Sequence, residues 1–194
     1  FEYKLKDGWK TYWKSPGDGG FPQEINWTKS KNIKSLDLYW PKPKKFEILG
    51  MKSLGYENNV IFPIKIILAN ASKDTLINLD VNYLICKDIC IPGKASLELI
   101  LPPGIGELTS NTFTIEKALS EIPIESKDLS FINNINAEIH KEEDLLSIVI
   151  TAEAKNIFKN PSIFLHTDLG LPVVDPIISM SSDSKFFEAT YIFQ

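Results

Sequence analysis

The sequence predicts an all-β protein: a β-sandwich followed by a second, smaller β-rich domain. Apolar and polar residues alternate with the period of a strand in several runs, glycine- and proline-rich turns separate these runs, and only one short segment has helical character. Short strands separated by such turns are typical of sandwiches. We place the first domain at residues 1–120 and the second at 125–194.

The first domain begins with an alternating segment, followed by an aromatic run, Gly8–Trp13, and a turn-rich loop that extends to Gly20. Pro41 and Pro43 stop the strand before them. Pro63 lies inside another alternating run, which predicts an edge strand or a bulge. The predicted strands flanking these features are Phe1–Leu5, Leu36–Trp40, Val60–Leu68 and Ala95–Leu101.

The strongest predicted strand is Ile77–Ile85, whose odd-numbered positions are apolar and whose even-numbered positions are mostly polar. It leads directly into the only two cysteines of the chain, Cys86 and Cys90. Along a straight strand these residues would lie about 13 Å apart, whereas a disulfide needs Cα atoms within roughly 4.4–6.8 Å. If the cysteines pair, the chain bends sharply at Lys87–Ile89.

The cysteine pair is compatible with three roles: thiol-disulfide exchange, an inert disulfide and a metal site. A disulfide that closes such a small ring removes only about 2 kcal/mol of unfolded-state entropy, so it is a weak structural staple. The same pair is well placed for thiol-disulfide exchange, and Lys87 and Asp88 either tune the thiol pKa or simply solvate the turn. The alternatives are an inert disulfide and a two-thiolate metal site, for which Cu(I) is the fitting ion.

One helix is predicted, over Thr114–Ile122, with Thr114 as its cap; we interpret it as a linker. Beyond it, the pattern indicates a hairpin whose polar turn spans His140–Asp144. Its strands are Ile135–Ile139 and Leu146–Ile150, and further strands are predicted at Ile163–Leu165 and Phe186–Phe193.

The composition of the chain limits the classes of protein and of partner that we expect. The net charge of −4 argues against nucleic acid as the main partner. No apolar run approaches the roughly 20 residues of a membrane helix, since Val60–Ala71 is interrupted by Pro63 and Lys65. A hydrophobic content of 43% predicts a packed core rather than disorder.

Several motifs occur together in an order that resembles the N-terminal periplasmic domain of the DsbD/ScsB family of thiol-disulfide interchange proteins, the ScsB-like branch in particular. The resemblance covers roughly residues 5–103. The motifs are Gly8-Trp9-Lys10-Thr11-Tyr12-Trp13, Pro16-Gly17-Asp18, Trp40-Pro41-Lys42-Pro43, Gly55-Tyr56 and Cys86-Lys87-Asp88-Ile89-Cys90-Ile91-Pro92.

The resemblance implies an immunoglobulin-like fold and a redox cysteine pair at Cys86 and Cys90. We expect no cofactor and no resident metal. Cys90 would be attacked by the donor thiolate and Cys86 would be the resolving partner. The family also has an aromatic cap loop over its cysteines, for which we assign no residue here. Lys14 stands where an arginine is expected.

The implied function is electron relay in the bacterial periplasm. A membrane-embedded domain and a thioredoxin-like domain of the same full-length polypeptide would supply electrons, and thioredoxin-fold proteins would receive them. The chain would then be the soluble part of an inner-membrane protein. The competing function is a non-catalytic β-sandwich binding module, copper-handling or structural.

Other residues have weaker functional readings. Trp9, Tyr12 and Trp13 are candidates for a partner groove, although large aromatic residues near turns more often pack in the interior. Gly17, Gly19 and Gly20 indicate a turn rather than a phosphate loop, because no Gly-Lys-Ser/Thr follows. His140 reads as a solvated turn residue, and His166 with Asp168 lacks a nucleophile for a triad.

Overall fold

A computed structural model describes residues 1–104, 106–125, 128–166 and 172–193. The chain divides into two compact units, Phe1–Pro123 and Ile124–Gln194. Each unit is built mainly from antiparallel strands. Within the described residues, no helix combines the length and the hydropathy that a membrane crossing requires.

The described residues of the first unit form ten strands and one helix, and the main sheet has the order β10-β9-β2-β6-β5, with β3 also paired to β9. Two further pairs, β1-β7 and β4-β8, complete the unit. The elements are β1 (Glu2–Lys4), β2 (Lys10–Gly17), β3 (Glu24–Asn26), β4 (Ile33–Leu38), β5 (Lys44–Ile48), β6 (Met51–Glu57), β7 (Asn59–Ile61), β8 (Ile64–Leu68), β9 (Thr75–Cys86), β10 (Cys90–Leu101) and α1 (Thr112–Ser120).

The core lies between β9 and the β4-β8 pair. Ile77, Leu79 and Val81 are buried, and they pack against side chains from both facing strands, among them Leu36 and Ile66. The even-numbered residues of β9 lie on the other face, as the alternation predicts. Two sheets packed across one apolar core form a sandwich, so the predicted all-β, immunoglobulin-like architecture is confirmed.

The run Val60–Leu68 is not one strand. It breaks at Phe62 and Pro63, so that β7 pairs with β1 while β8 pairs with β4. Pro63 has no N–H to donate to a ladder, which explains the break. Phe62 is fully buried at this corner, where its ring packs against four others, those of Phe1, Tyr3, Trp40 and Tyr56.

Other boundaries in the first unit also differ from prediction. The strand predicted to reach Trp40 ends at Leu38, and the predicted loop after Trp13 belongs to β2 as far as Gly17. The helix starts at Thr112, after N-cap Asn111, so Thr114 is not its cap. The reason is a tight turn in which the Thr109 N–H donates to Thr112 Oγ1 and the Thr112 N–H donates to the Thr109 carbonyl.

The second unit is a four-stranded antiparallel sheet of order β11-β12-β14-β13. Its strands are β11 (Ile132–Glu142), β12 (Leu145–Ala154), β13 (Ile177–Met180) and β14 (Phe186–Phe193). The predicted hairpin and the strand Phe186–Phe193 are confirmed, and β13 was not predicted. The core of this unit includes Ile148, Tyr191 and Phe193.

Two predictions in the second unit are wrong in detail. His140 lies in β11 opposite Ser147, not in a turn, because the hairpin turn contains only Glu143 and Asp144. Glu143 adopts a positive φ of 46°, which closes this short connection. Residues 163–165 form no strand; instead Ile163 packs into the core, and its carbonyl accepts a hydrogen bond from the Tyr191 hydroxyl at 3.0 Å.

The core assignment makes a direct prediction. Leu79 is 5% exposed, so Leu79→Ala should lower the free energy of unfolding by about 2–5 kcal/mol, because it removes buried methyl groups and leaves a cavity. All four tryptophans (Trp9, Trp13, Trp27 and Trp40) lie in the first unit, so urea unfolding followed by tryptophan fluorescence reports on that unit. Leu99→Ala is the matched control: Leu99 is 55% exposed and its loss should cost under about 0.5 kcal/mol. Equal effects of the two substitutions would contradict the assignment.

Candidate functional site

The two cysteines form a disulfide at the tip of the β9–β10 hairpin. Cys86 is the last residue of β9 and lies directly opposite Cys90, the first residue of β10. Their Cα atoms are 4.1 Å apart and their sulfur atoms 2.06 Å apart. The Lys87 N–H donates to the Ile89 carbonyl at 3.0 Å, which closes the three-residue loop between them. The predicted bend at Lys87–Ile89 is therefore confirmed.

The two cysteines differ in exposure. Cys86 is completely buried, whereas Cys90 is only partly buried. The backbone of Cys86 is also held on its other side, because Lys10 of β2 pairs with it. Next to this pairing, the Thr11 hydroxyl donates to the Leu84 carbonyl at 3.1 Å. Cys90 therefore offers the accessible sulfur of a disulfide whose other half is fixed inside the sheet.

An apolar bed surrounds the buried half of the disulfide. Cys86 packs with Tyr12 of β2 and Ile48 of β5, and Phe46, Leu84 and Cys90 pack against this cluster. The ring centroids of Tyr12 and Phe46 are 6.0 Å apart. Phe46 and Ile48 were not predicted as site residues; their alternation in Lys44–Ile48 indicates a strand but does not reveal its neighbour. Phe46 is the aromatic side chain of β5 that packs against this cluster.

Tyr12 is the polar member of this bed. It is fully buried, and its hydroxyl has no hydrogen-bond partner among the described residues. Burial raises the pKa of the Tyr12 phenol. Gly20 packs directly on the ring, so that a Cβ at Gly20 would overlap it. Gly20 is therefore needed for close packing, and Gly17, with φ of 89°, for the turn, which supports the turn reading of these glycines.

The aromatic run does not form a common exposed surface. Tyr12 is fully buried and Trp13 is 7% exposed, whereas Trp9 is half-buried. The Lys14 ammonium lies 5.4 Å from the centroid of the Trp13 ring, and burial lowers the pKa of Lys14. A partner groove at Trp9, Tyr12 and Trp13 stays a prediction, with Trp9 the member nearest to solvent.

Lys87 and Asp88 are exposed in the loop between the cysteines. The Lys87 ammonium donates to the Asp7 carbonyl at 3.4 Å, and its aliphatic stem packs against Gly8. Lys87 thus ties the hairpin tip to the loop before β2. Tuning of the thiol pKa by Lys87 and Asp88 stays a prediction.

The histidines lie in the second unit. His140 Nε2 is 3.5 Å from Glu138 Oε2, and both side chains are exposed. Asp168 lies outside the described residues, so its pairing with His166 is not part of the structure. Across the described ranges, no group of three or more His, Cys, Asp or Glu side chains is arranged to hold a metal ion.

The fold and the site define a class of protein: an immunoglobulin-like domain that presents a half-exposed disulfide at a hairpin tip. Residues 1–102 match the family described as "Thiol:disulfide interchange protein DsbD, N-terminal". This match covers more than half of the chain, so the protein belongs to that family, whose domains take part in thiol-disulfide interchange.

A solved structure is similar over nearly the whole chain. It is the N-terminal periplasmic domain of ScsB from Proteus mirabilis, with 26% sequence identity and a TM-score of 0.74. The alignment covers 99% of this chain and 72% of that one. No curated protein matches the sequence.

The unequal burial of the cysteines predicts unequal reactivity. After full reduction, Cys90 should react with iodoacetamide faster than Cys86, because only Cys90 reaches the solvent. The variants Cys86→Ser and Cys90→Ser each leave one thiol, whose modification rate is read by intact mass. In denaturant the two rates should become similar; a native Cys86 that reacts as fast as Cys90 would contradict the geometry.

Proposed function

We propose that the Cys86–Cys90 pair accepts two electrons from a thioredoxin-like donor and passes them to thioredoxin-fold proteins in the periplasm. The observation that carries this proposal is the disulfide at an exposed hairpin tip with one accessible and one buried sulfur. Exchange needs a sulfur that a partner thiolate can reach and a neighbouring cysteine that can resolve the intermediate. Family membership supports the same chemistry.

The reductive half-reaction begins with attack by a donor thiolate on Cys90 Sγ. The Cys86–Cys90 bond breaks, a donor–Cys90 mixed disulfide forms, and Cys86 leaves as a thiolate that takes up a proton. The second donor thiolate then attacks the donor sulfur of the mixed disulfide and releases Cys90. The donor has lost two electrons and is a disulfide, and the Cys86/Cys90 pair is a dithiol.

The oxidative half-reaction uses the same two sulfur atoms, those of Cys86 and Cys90. The Cys90 thiolate attacks the disulfide of the acceptor and forms a second mixed disulfide. Cys86, deprotonated, attacks Cys90 Sγ, re-forms the Cys86–Cys90 bond and releases the acceptor as a dithiol. The apolar bed of Tyr12 and Ile48 solvates a Cys86 thiolate poorly, which favours this resolving step over a persistent anion. Sulfur carries the electrons throughout, so no cofactor is required.

The location and the larger assembly belong to the same proposal. The similar ScsB domain is described as periplasmic, which supports a periplasmic location for this chain. A membrane-embedded domain and a thioredoxin-like domain of a full-length polypeptide would supply the electrons. We assign the redox centre to a domain at residues 1–120, and a role as spacer or docking platform to the domain at residues 125–194. Lys87 and Asp88 are proposed to tune the thiols, and Trp9 to contact partners.

The first test is a redox titration of the purified chain in glutathione buffers, with alkylation and intact mass as the readout. The expected result is reversible conversion between zero and two alkylated thiols, as a two-electron couple requires. Cys86→Ser and Cys90→Ser chains, each with one thiol, are the controls. A disulfide that resists reduction by thioredoxin-like dithiols would instead favour a structural role, and stoichiometric Cu(I) uptake without exchange would favour copper handling.

A second test assigns the two roles. Cys86→Ser should accumulate a mixed disulfide with thioredoxin through Cys90, because no resolving thiol remains in this chain. Cys90→Ser should accumulate at least about tenfold less, since its remaining sulfur is buried. Non-reducing mass spectrometry with a resolving-cysteine variant of thioredoxin measures both adducts. The reverse order would contradict the assignment of Cys90 as the attacked sulfur.

A further inference from the structure

An open cavity of about 530 Å³ lies beside the disulfide on the hairpin. Its walls come from β9, β10 and the segment that leads into β3. The lining residues are Phe21, Glu24, Asn82, Tyr83, Leu84, Pro92, Gly93 and Lys94. Phe21 directly follows the glycine-rich turn that packs on Tyr12.

The floor of this cavity shares a face of the hairpin with the disulfide. Cross-strand partners lie on the same face, and the side-chain period along a strand is two residues. The register pairs Cys86 with Cys90, then Leu84 with Pro92, then Asn82 with Lys94. The cavity therefore begins one row below the cysteines, and Leu84 belongs to both, since it packs against the Cys86 cluster.

On this face the apolar row next to the disulfide, Leu84 with Pro92, is separated by polar rows from the next apolar row, Leu76 with Ile100, at the far end of the hairpin. Further along the same face, Ser96 donates to Asp80 at 2.6 Å and Asn78 donates to Glu98 at 3.5 Å. Near the disulfide, by contrast, Pro92 is exposed and Phe21 is 41% exposed. Exposed apolar side chains grouped next to a reactive atom indicate a contact surface.

The charges at the cavity do not select a charged occupant. Glu24 and Lys94 contribute one negative and one positive side chain, and both residues are exposed. An apolar, uncharged side chain therefore matches the cavity best. A floor of leucine and proline with a phenylalanine wall suits a side chain of leucine or phenylalanine size.

The distance between Cys90 and the cavity determines which position of the partner sequence would supply this side chain. The Pro92 and Lys94 rows lie two and four residues from Cys90, which corresponds to about 7–13 Å along a strand. An extended partner segment rises by a similar length per residue. A partner thiolate at Cys90 would thus place the side chain two or four positions away in its own chain over the cavity.

We propose that this cavity receives an apolar side chain located two or four residues from the attacking cysteine of a partner protein. This inference rests on the proposed thiol exchange and adds a specificity subsite to it. The occupant is a segment of a thiol-bearing protein, held next to Cys90 by burial of one side chain.

The test uses acetylated heptapeptides with one central cysteine and either phenylalanine or serine two residues away, so that both side chains lie on one face of an extended segment. Their rates of attack on the oxidised chain are compared with that of dithiothreitol, which has no side chain to dock. The phenylalanine peptide should react about tenfold faster than the serine peptide, equivalent to about 1.4 kcal/mol. In Phe21→Ser and in Pro92→Ser this preference should fall to about twofold or less, while the dithiothreitol rate stays unchanged.

The matched control is Ile100→Ser, which removes a 64% exposed apolar side chain at the distant end of β10. It should keep the full preference. Equal rates for the two peptides on the native chain, or a preference that survives Phe21→Ser and Pro92→Ser, would overturn the subsite and leave thiol exchange intact. A disulfide that reacts with neither peptide nor with dithiothreitol would overturn both proposals. A change in oligomeric state on Phe21→Ser would assign the surface to a second copy of the chain instead.

Discussion

The register of the β9–β10 ladder is the constraint on which the rest of the structure depends. Twelve consecutive pairs join Thr75 with Leu101 at one end and Cys86 with Cys90 at the other. Burial of Ile77, Leu79 and Val81 fixes that register, because a slip by one residue would turn these side chains outward. The same slip would move Cys86 to the core face and separate it from Cys90. The chemistry of the hairpin tip is thus set by apolar packing more than 15 Å away along the strand, at about 3.3 Å per residue.

The two faces of β9 have different structural roles in the domain. The odd-numbered face builds the core and supplies stability. The even-numbered face changes character along its length, from the polar pairs around Asp80 to the apolar rows around Leu84. It becomes buried at Cys86, where Tyr12 and Ile48 cover it. The disulfide therefore sits at the point where a solvent-facing surface passes into a small second core, which explains why one sulfur is enclosed and the other is not.

The features that could be predicted from the sequence are those that depend on residues close together in the chain. The alternation of Ile77–Ile85 was sufficient to predict the strand and its faces, and the spacing of Cys86 and Cys90 was sufficient to predict the bend. Contacts between strands that are distant in sequence could not be predicted in this way. Ile48 and Cys86 share one cluster with Tyr12, and Tyr12 is buried, because β2 lies between β9 and the β6-β5 pair in one sheet. His140 was misplaced for a related reason: β11 is an exposed edge strand, so its polar residues carry no alternation that distinguishes them from a turn.

The double pairing of Cys86 has a consequence for the energetics of the proposed thiol-disulfide exchange. Its backbone is held by Cys90 on one side and by Lys10 on the other, and the ladder below it is continuous. The sulfur–sulfur bond joins two residues that the sheet already places opposite each other. Breaking this bond should therefore require little rearrangement of the scaffold, and we expect the oxidised and reduced forms to share one backbone arrangement. In the proposed exchange, such a pair would have a low reorganisation cost, because it would pass between disulfide and dithiol without first unfolding and refolding the surface around it.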